Sequence, residues 1–184
     1  IYAILQLEAH MRKEIKQFLK KHNQTILELE HKGKSNTLHE WYKIQNIFRT
    51  IYNSLIIRFC KILPIRIKIL LYRHLLGIKI GNNVGIAPDT EIDHFHPHLI
   101  SIGDNSMLGW KLNLLCHEFS RHKIKLGRIN IGKNVLIGAF STIRLGVTIG
   151  ENSIVGMNSF VNKDIPPNEL WGGVPAKRIK KLKP

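Results

Sequence analysis

The sequence predicts a mainly β chain: a three-sided coil of stacked parallel strands, with an α-helical region in front of it. Three observations predict it. A six-residue beat runs unbroken from Ile131 to Ile165. Weaker copies of the beat start at Ile80 and Ile102. Residues 1–76 lack the beat and place apolar residues at helical spacing instead.

The N-terminal region is expected to be helical throughout. Ile4, Leu7, Met11, Ile15 and Phe18 recur every three or four residues, as one face of an amphipathic helix does. The stretch from Gly33 to Asn36 ends that helix. A second helix is expected from about Thr37 to Leu63, with Trp41, Ile44, Ile47, Phe48, Ile51 and Leu55 on one side. Pro64 restarts the chain in a third helix, Ile65 to Leu76, which stops at Gly77. Arg58, Lys61, Arg66, Lys68 and Arg73 are interleaved with the aliphatics here. Two compatible readings stand. One is a helix that caps the open end of the coil stack. The other is a basic helix that lies on a membrane surface.

The repeat follows from Ile80 onward. Ile131, Ile137, Ile143, Ile149, Val155 and Val161 mark the beat, and Gly follows at 132, 138, 150 and 156. Small or β-branched residues sit four places later, at 135, 141, 147, 153, 159 and 165. A period of six is neither helical nor simple alternation, so it marks a repeat architecture, with about eighteen residues per triangular turn. The aliphatic residue and the small one point inward; Gly and Asn are expected at turns that need φ > 0. One coil cannot bury its own interior, so neighbours must stack. The register slips between Ile92 and Ile102, and again between Leu114 and Ile131. The second slip holds the basic stretch Ser120 to Arg128, read as a loop of about 118–130 thrown out of the stack. The organisation is therefore a helical region 1–76 and a coil region 77–184 with a tail from 166. Loops on rigid scaffolds are frequent sites of function.

The formal net charge is +15, with fourteen Lys/Arg against five Asp/Glu in residues 1–76 and fourteen against eight beyond. The excess is spread and is not a tail. Nucleic-acid binding is not expected, because aromatic platforms and a recognisable module are missing. Cys60 and Cys116 have no short-range spacing, which points to a reducing compartment. No run of eighteen apolar residues and no signal-peptide layout are present. The expected location is cytoplasmic, with peripheral contact at the inner face of the membrane through the basic helices.

The Ile-Gly-x-Asn hexads, the stretch Val161-Asn-Lys-Asp-Ile-Pro-Pro167 and the ending Gly173-Val-Pro-Ala-Lys177 resemble the hexapeptide-repeat acyltransferases. The nearest group is the bacterial O-acetyltransferases of sugars and surface polysaccharides, of the maltose and galactoside acetyltransferase type. The resemblance covers residues 77–184. It implies a left-handed parallel β-helix, a homotrimer, and acetyl-CoA bound between subunits, with a small-molecule or glycan acceptor. It also implies a catalytic His just before the excursion, which is His117 here. A neutral imidazole suits the removal of a proton from a hydroxyl. By the same resemblance, the Ala139 N–H serves the oxyanion, and Met157, Asn162, Lys163, Lys177, Arg178 and Lys180 serve acetyl-CoA. Trp171 either stacks on the adenine or covers the last coil. Asp93, Trp110 and Asn113 are the acceptor-side candidates. Glu118 adjoins His117 but projects differently, so the orienting partner of His117 stays open. Cys116 is expected to be a buried structural thiol. No metal is expected.

Two alternatives remain at this level. The same architecture hosts γ-class carbonic anhydrases, which bind a metal through three histidines; His94, His96, His98, His117 and His122 supply the residue type. The Arg/Asp/Gln set that this class carries in its early coils has no counterpart here. A non-catalytic trimeric scaffold is the other alternative.

Overall fold

The computed structural model describes residues 2–21, 23–31, 36–39 and 41–183. The chain from Lys79 onward forms a left-handed parallel β-helix. Its first face stacks Lys79–Ile80, Ile100–Ile102, Ile129–Ile131 and Thr148–Ile149. The second face stacks Gly85–Ile86, Met107–Leu108, Leu136–Ile137, Ile154–Val155 and Glu169–Gly172. The third stacks Glu91–Ile92, Asn113–Leu114, Thr142–Ile143 and Phe160–Val161. Strand Lys177–Lys181 turns back antiparallel on Glu169–Gly172 and closes the second face.

The beat does what its spacing requires. Ile137, Ile143, Ile149 and Val161 are fully buried, and Ser141, Val147, Ser153 and Ser159 share the interior with them. Buried serines need partners, and find them: Ser106 Oγ donates to the Gly132 carbonyl, and Ser141 Oγ to the Gly156 carbonyl. Asn holds the left-handed corner position at 83, 105, 134, 152 and 168, with φ between 52 and 60°. These side chains then bond up the stack, Asn134 to Asn152 at 2.9 Å and Asn152 to Asn168 at 3.1 Å. The repeated Gly has a different cause from the expected one. Gly132 lies outside the positive-φ set; a Cβ there would sit 2.8 Å from Glu151 N and 3.0 Å from Ile149 O. The next coil comes too close for a side chain.

The helical region differs from expectation in two ways. Helix α1, Tyr2–Lys20, buries Met11, Ile15 and Phe18 as predicted; the side chains of Ile4 and Leu7 lie outside the described residues. Most of the predicted break, from Gly33 to Ser35, also lies outside them. Between α1 and that point runs a strand, Ile26–Glu30, instead of more helix. Leu27 and Leu29 alternate with Glu28 and Glu30, a period-two signal, and Leu29 is buried. The expected second helix is two: α2, Trp41–Ile44, and α3, Ile47–Cys60. Asn46 divides them, because its side chain accepts the Arg49 N–H as an N-cap. Helix α4, Ile65–Leu75, follows as predicted, and Gly77 takes φ +70°.

Helices α3 and α4 cover the first coil with Asn53, Ile57, Cys60, Tyr72 and Leu76. The apolar side expected on α3 is an exposed one: Phe48, Ile51 and Leu55 point to solvent. The side chain of Ile44, expected on that face, lies outside the described residues. The expected loop at about 118–130 is an antiparallel hairpin, His117–Phe119 with Lys123–Gly127, and Ile26–Glu30 adds to it as a third strand. Lys123 and Lys125 hold Glu28 at 2.6 and 2.9 Å. These bonds pull the Glu28 carboxyl down to about 2.

The close approach at the repeated Gly predicts a contrast. Gly132→Ala meets the backbone of Ile149 and Glu151 in the next coil and should cost about 1–3 kcal/mol, the range for overpacking. Gly156→Ala meets nothing nearer than 3.5 Å and should leave the thermal midpoint almost unchanged. Equal midpoints for the two variants would contradict the reading.

Candidate active site

The corner between the third and first faces is the one interrupted by excursions, at 93–99 and 115–128. Ile92 stacks beneath Leu114, so the chain leaving Leu114 for the hairpin passes over Asp93. The Cys116 N–H donates to Asp93 Oδ2 at 2.8 Å, and His117 Nδ1 meets the same oxygen at 2.5 Å. The N–H groups of Phe95 and His96 donate to Oδ1 at 2.9 and 2.8 Å. Four donors satisfy a carboxylate whose side chain is 0% exposed.

Burial pushes the Asp93 carboxyl up. The hydrogen bond and electrostatic pull of His117, with the His96 backbone donor, outweigh burial and hold it below the usual range. An ionised carboxylate only accepts, so Nδ1 carries the proton and Nε2 of the neutral ring is left as a base. The His117 side chain is 21% exposed, so the imidazole reaches solvent while its carboxylate does not. Phe95 meets the ring edge-on at 4.6 Å and Phe119 packs at 5.2 Å. Trp41 of α2 packs on Phe95 at 5.3 Å. Phe95 also lines a cavity of about 560 Å³, together with Arg12, Tyr42, Gln45 and His98.

Neighbouring groups are engaged elsewhere. Glu118 Oε2 accepts from Arg144 Nε and Nη2 at 3.0 and 2.6 Å, so it faces the coil above and not the imidazole. Cys116 is fully buried, and burial followed by the charge of Asp93 pushes its thiol well up. It stays a protonated packing residue. His94 bonds Ser54 and Glu91 at 2.8 Å each, His96 is buried, and His122 is exposed in the hairpin turn. Among the described residues, no three His, Cys, Asp or Glu side chains gather as a metal-ligand set.

The remaining sequence candidates fall into three places. Asn162 and Lys163 lie on the His117 corner, two coils above. Trp110, Ala139 and Met157 lie on the corner between the second and third faces. Asn113 is on the third face, with Nδ2 donating to Thr142 Oγ1 at 3.3 Å. Trp110 donates to Asp89 Oδ2 at 3.1 Å and stands edge-on to Phe140. Asp93 is therefore separated from the other acceptor-side candidates: it is a buried partner of the imidazole, not a surface carboxylate. Lys177 and Lys180 are exposed on the last strand. Arg178 instead pairs with the buried Glu169 at 3.2 Å. Glu169 also accepts the Trp171 indole N–H at 2.7 Å, and the half-buried Trp171 packs against the core as a cover.

Sequence reasoning missed the role of Asp93 and the rings of Trp41, Phe95 and Phe119. Coil arithmetic carries the first signal: once Ile92 is stacked under Leu114, Asp93 and Cys116 share a corner. No local pattern carries the rings, because they come from three separate segments.

A family described as "Hexapeptide repeat of succinyl-transferase" matches residues 128–163. The chain is 33% identical over 146 residues to YvoF of Bacillus subtilis (strain 168), which bears a provisional acetyltransferase name; the match covers 79% of this chain and 85% of that one. It is 38% identical over 92 residues to the galactoside O-acetyltransferase of Escherichia coli (strain K12), covering 46% of this chain and 45% of that one. A solved structure of the hexapeptide-repeat acetyltransferase VCA0836 of Vibrio cholerae O1 biovar eltor, complexed with acetyl coenzyme A, aligns with a TM-score of 0.63. The two chains are 28% identical, with 74% of this chain and 87% of that chain covered.

The depressed Asp93 carboxyl sets a pH dependence. Its stabilising effect is complete above the unfolded carboxyl value of about 4, and is lost as pH falls through the lower folded value. Asp93→Asn should therefore lower the thermal midpoint most at neutral pH, and the gap to the native chain should narrow in acid. A gap independent of pH would refute the ionised, buried carboxylate.

Proposed function

Because this chain belongs to the hexapeptide-repeat acetyltransferase family, we propose that it moves an acetyl group from acetyl-CoA to a hydroxyl of a sugar or surface-polysaccharide precursor. The observation that carries the chemistry is the 2.5 Å contact between His117 Nδ1 and the buried Asp93. Nε2 of His117 takes the proton of the acceptor hydroxyl as its oxygen attacks the thioester carbonyl. The intermediate then collapses, the C–S bond breaks, and the proton on Nε2 goes to the departing CoA thiolate. Asp93 holds the tautomer and stabilises the imidazolium, the role the carboxylate has in a Ser-His-Asp triad. Transfer is direct, within a ternary complex, since the thiol of Cys116 is buried and protonated.

Ala139 supplies the oxyanion N–H. It leaves the second face, whereas His117 leaves the third, so within one chain the two occupy different corners. This separation supports a site shared between adjacent subunits of a cytoplasmic homotrimer, with His117 from one and Ala139 from the partner subunit. Met157 and Ala139 share a corner and lie along the acetyl-CoA arm. Lys163, Lys177 and Lys180 are exposed cations suited to its phosphates. Arg178 has Glu169 as partner and is assigned a lesser part.

Two measurements test this. Calorimetric titration of the native protein with acetyl-CoA should saturate near one per subunit, and a sugar screen should then release CoA. Absence of acetyl-CoA binding would overturn the reading. His117→Ala should lower kcat by at least ~100-fold, the loss expected for a general base, with acetyl-CoA affinity unchanged. Asp93→Asn should also lower kcat, by up to ~10⁴-fold where the tautomer is lost, with acetyl-CoA affinity kept. Near-native turnover in the His117 variant would remove it from the mechanism.

A further inference from the structure

Helices α3 and α4 form a hairpin whose two sides differ sharply. Arg49 of α3 reaches the Leu75 carbonyl at the end of α4, which sets the pair antiparallel. The inner side packs on the first coil. The outer side carries Phe48, Ile51, Leu55, Phe59 and Ile62 at steps of three and four, one stripe along α3 and the turn beyond it. Phe48 is 85% exposed and Ile62 82%. Ile67 and Leu70 on α4 are about half exposed. Isolated exposed aliphatics need no explanation, but a continuous apolar stripe marks an interaction surface.

The charges beside it select the partner. From Trp41 to Pro88 the sequence contains no Asp or Glu. Arg58, Arg66, His74 and Lys79 are exposed within that stretch. A second copy of this hairpin would set cation against cation, so the face is ill-suited to pairing with itself. An anionic lipid surface matches both properties at once: the headgroups take the cations, and the acyl boundary takes the rings and aliphatics. The fourteen residues of α3 span about 21 Å, short of the ~30 Å bilayer core. No helix among the described residues is long and apolar enough to cross a membrane. The hairpin can lie on a bilayer, not span it.

We propose that the α3–α4 hairpin is a docking element that seats the protein on an anionic phospholipid surface through the Phe48–Ile62 stripe and its flanking arginines. Phe48 also lines the cavity that Phe95 lines beside His117. Ile51, Leu55, Phe59 and Ile62 lie outside that lining, and on them the assignment stands apart from the acetyl-transfer reading.

The test uses the full chain and sedimented vesicles. One set is phosphatidylcholine alone; the other mixes it equally with phosphatidylglycerol. The protein should bind the mixed vesicles about tenfold or more tightly, and added salt should weaken that binding. Two exposed-surface variants divide the contributions. Ile51→Ser/Leu55→Ser/Ile62→Ser breaks the stripe, and Arg58→Glu/Arg66→Glu reverses the charge. Each should reduce binding about tenfold or more, with acetyl-CoA binding and thermal midpoint kept. Equal partition to both vesicle types, or native-like binding by both variants, would overturn the proposal. So would a fall in native oligomer mass on loss of the stripe, since the face would then be a contact between copies. None of these failures would touch the acetyl-CoA result.

Discussion

Like residue stacked on like residue, one coil above another, is the constraint on which this molecule depends. Ile102, Ile131 and Ile149 form one column, and Leu114, Ile143 and Val161 another. Each strand is only two or three residues long in most coils, too short to hold its partner alone. The ladder works because every coil repeats the same three strands in register. The corners are bound to the same rule: Asn bonds Asn, and Gly admits the backbone of the next turn. Such a stack tolerates little at its faces, so freedom to vary sits at the one corner where the chain departs.

That corner is where the proposed chemistry collects. The hairpin begins at His117, and its first residues fold down onto Asp93 from the coil beneath. The carboxylate is held by backbone N–H groups from two segments as well as by the imidazole. Its position is thus set by the coil register and does not depend on a flexible side chain. Rings from α2, the corner loop and the hairpin then limit water around the imidazole. Helices that seemed only to cap the stack therefore also contribute to the surroundings of His117 through Trp41.

The coil was legible because a six-residue period has few physical explanations, and the inward positions at 131 to 165 fell as the beat required. The helices were legible only in part. Apolar spacing on α3 correctly gave a helix with an apolar side, and that side is the exposed one. Periodicity reports that a helix has two sides and does not say which meets the protein. Ile26–Glu30 was overlooked because five residues of alternation are easily absorbed into a neighbouring helix. At the site, His117 was picked out through the family resemblance, by its place before the excursion. Asp93 was not, because its bond to His117 spans 24 residues and becomes visible only once the coils are stacked.

The strand Ile26–Glu30 pairs with a hairpin far along the chain; Glu28 and Lys123 are 95 positions apart. During synthesis this strand leaves the ribosome long before its partner exists. At about 5–20 residues per second, the wait is on the order of ten seconds. Through that interval Leu27 and Leu29 have no sheet to join. The hairpin that begins at His117 therefore gains its third strand only after the first two coils have been synthesised.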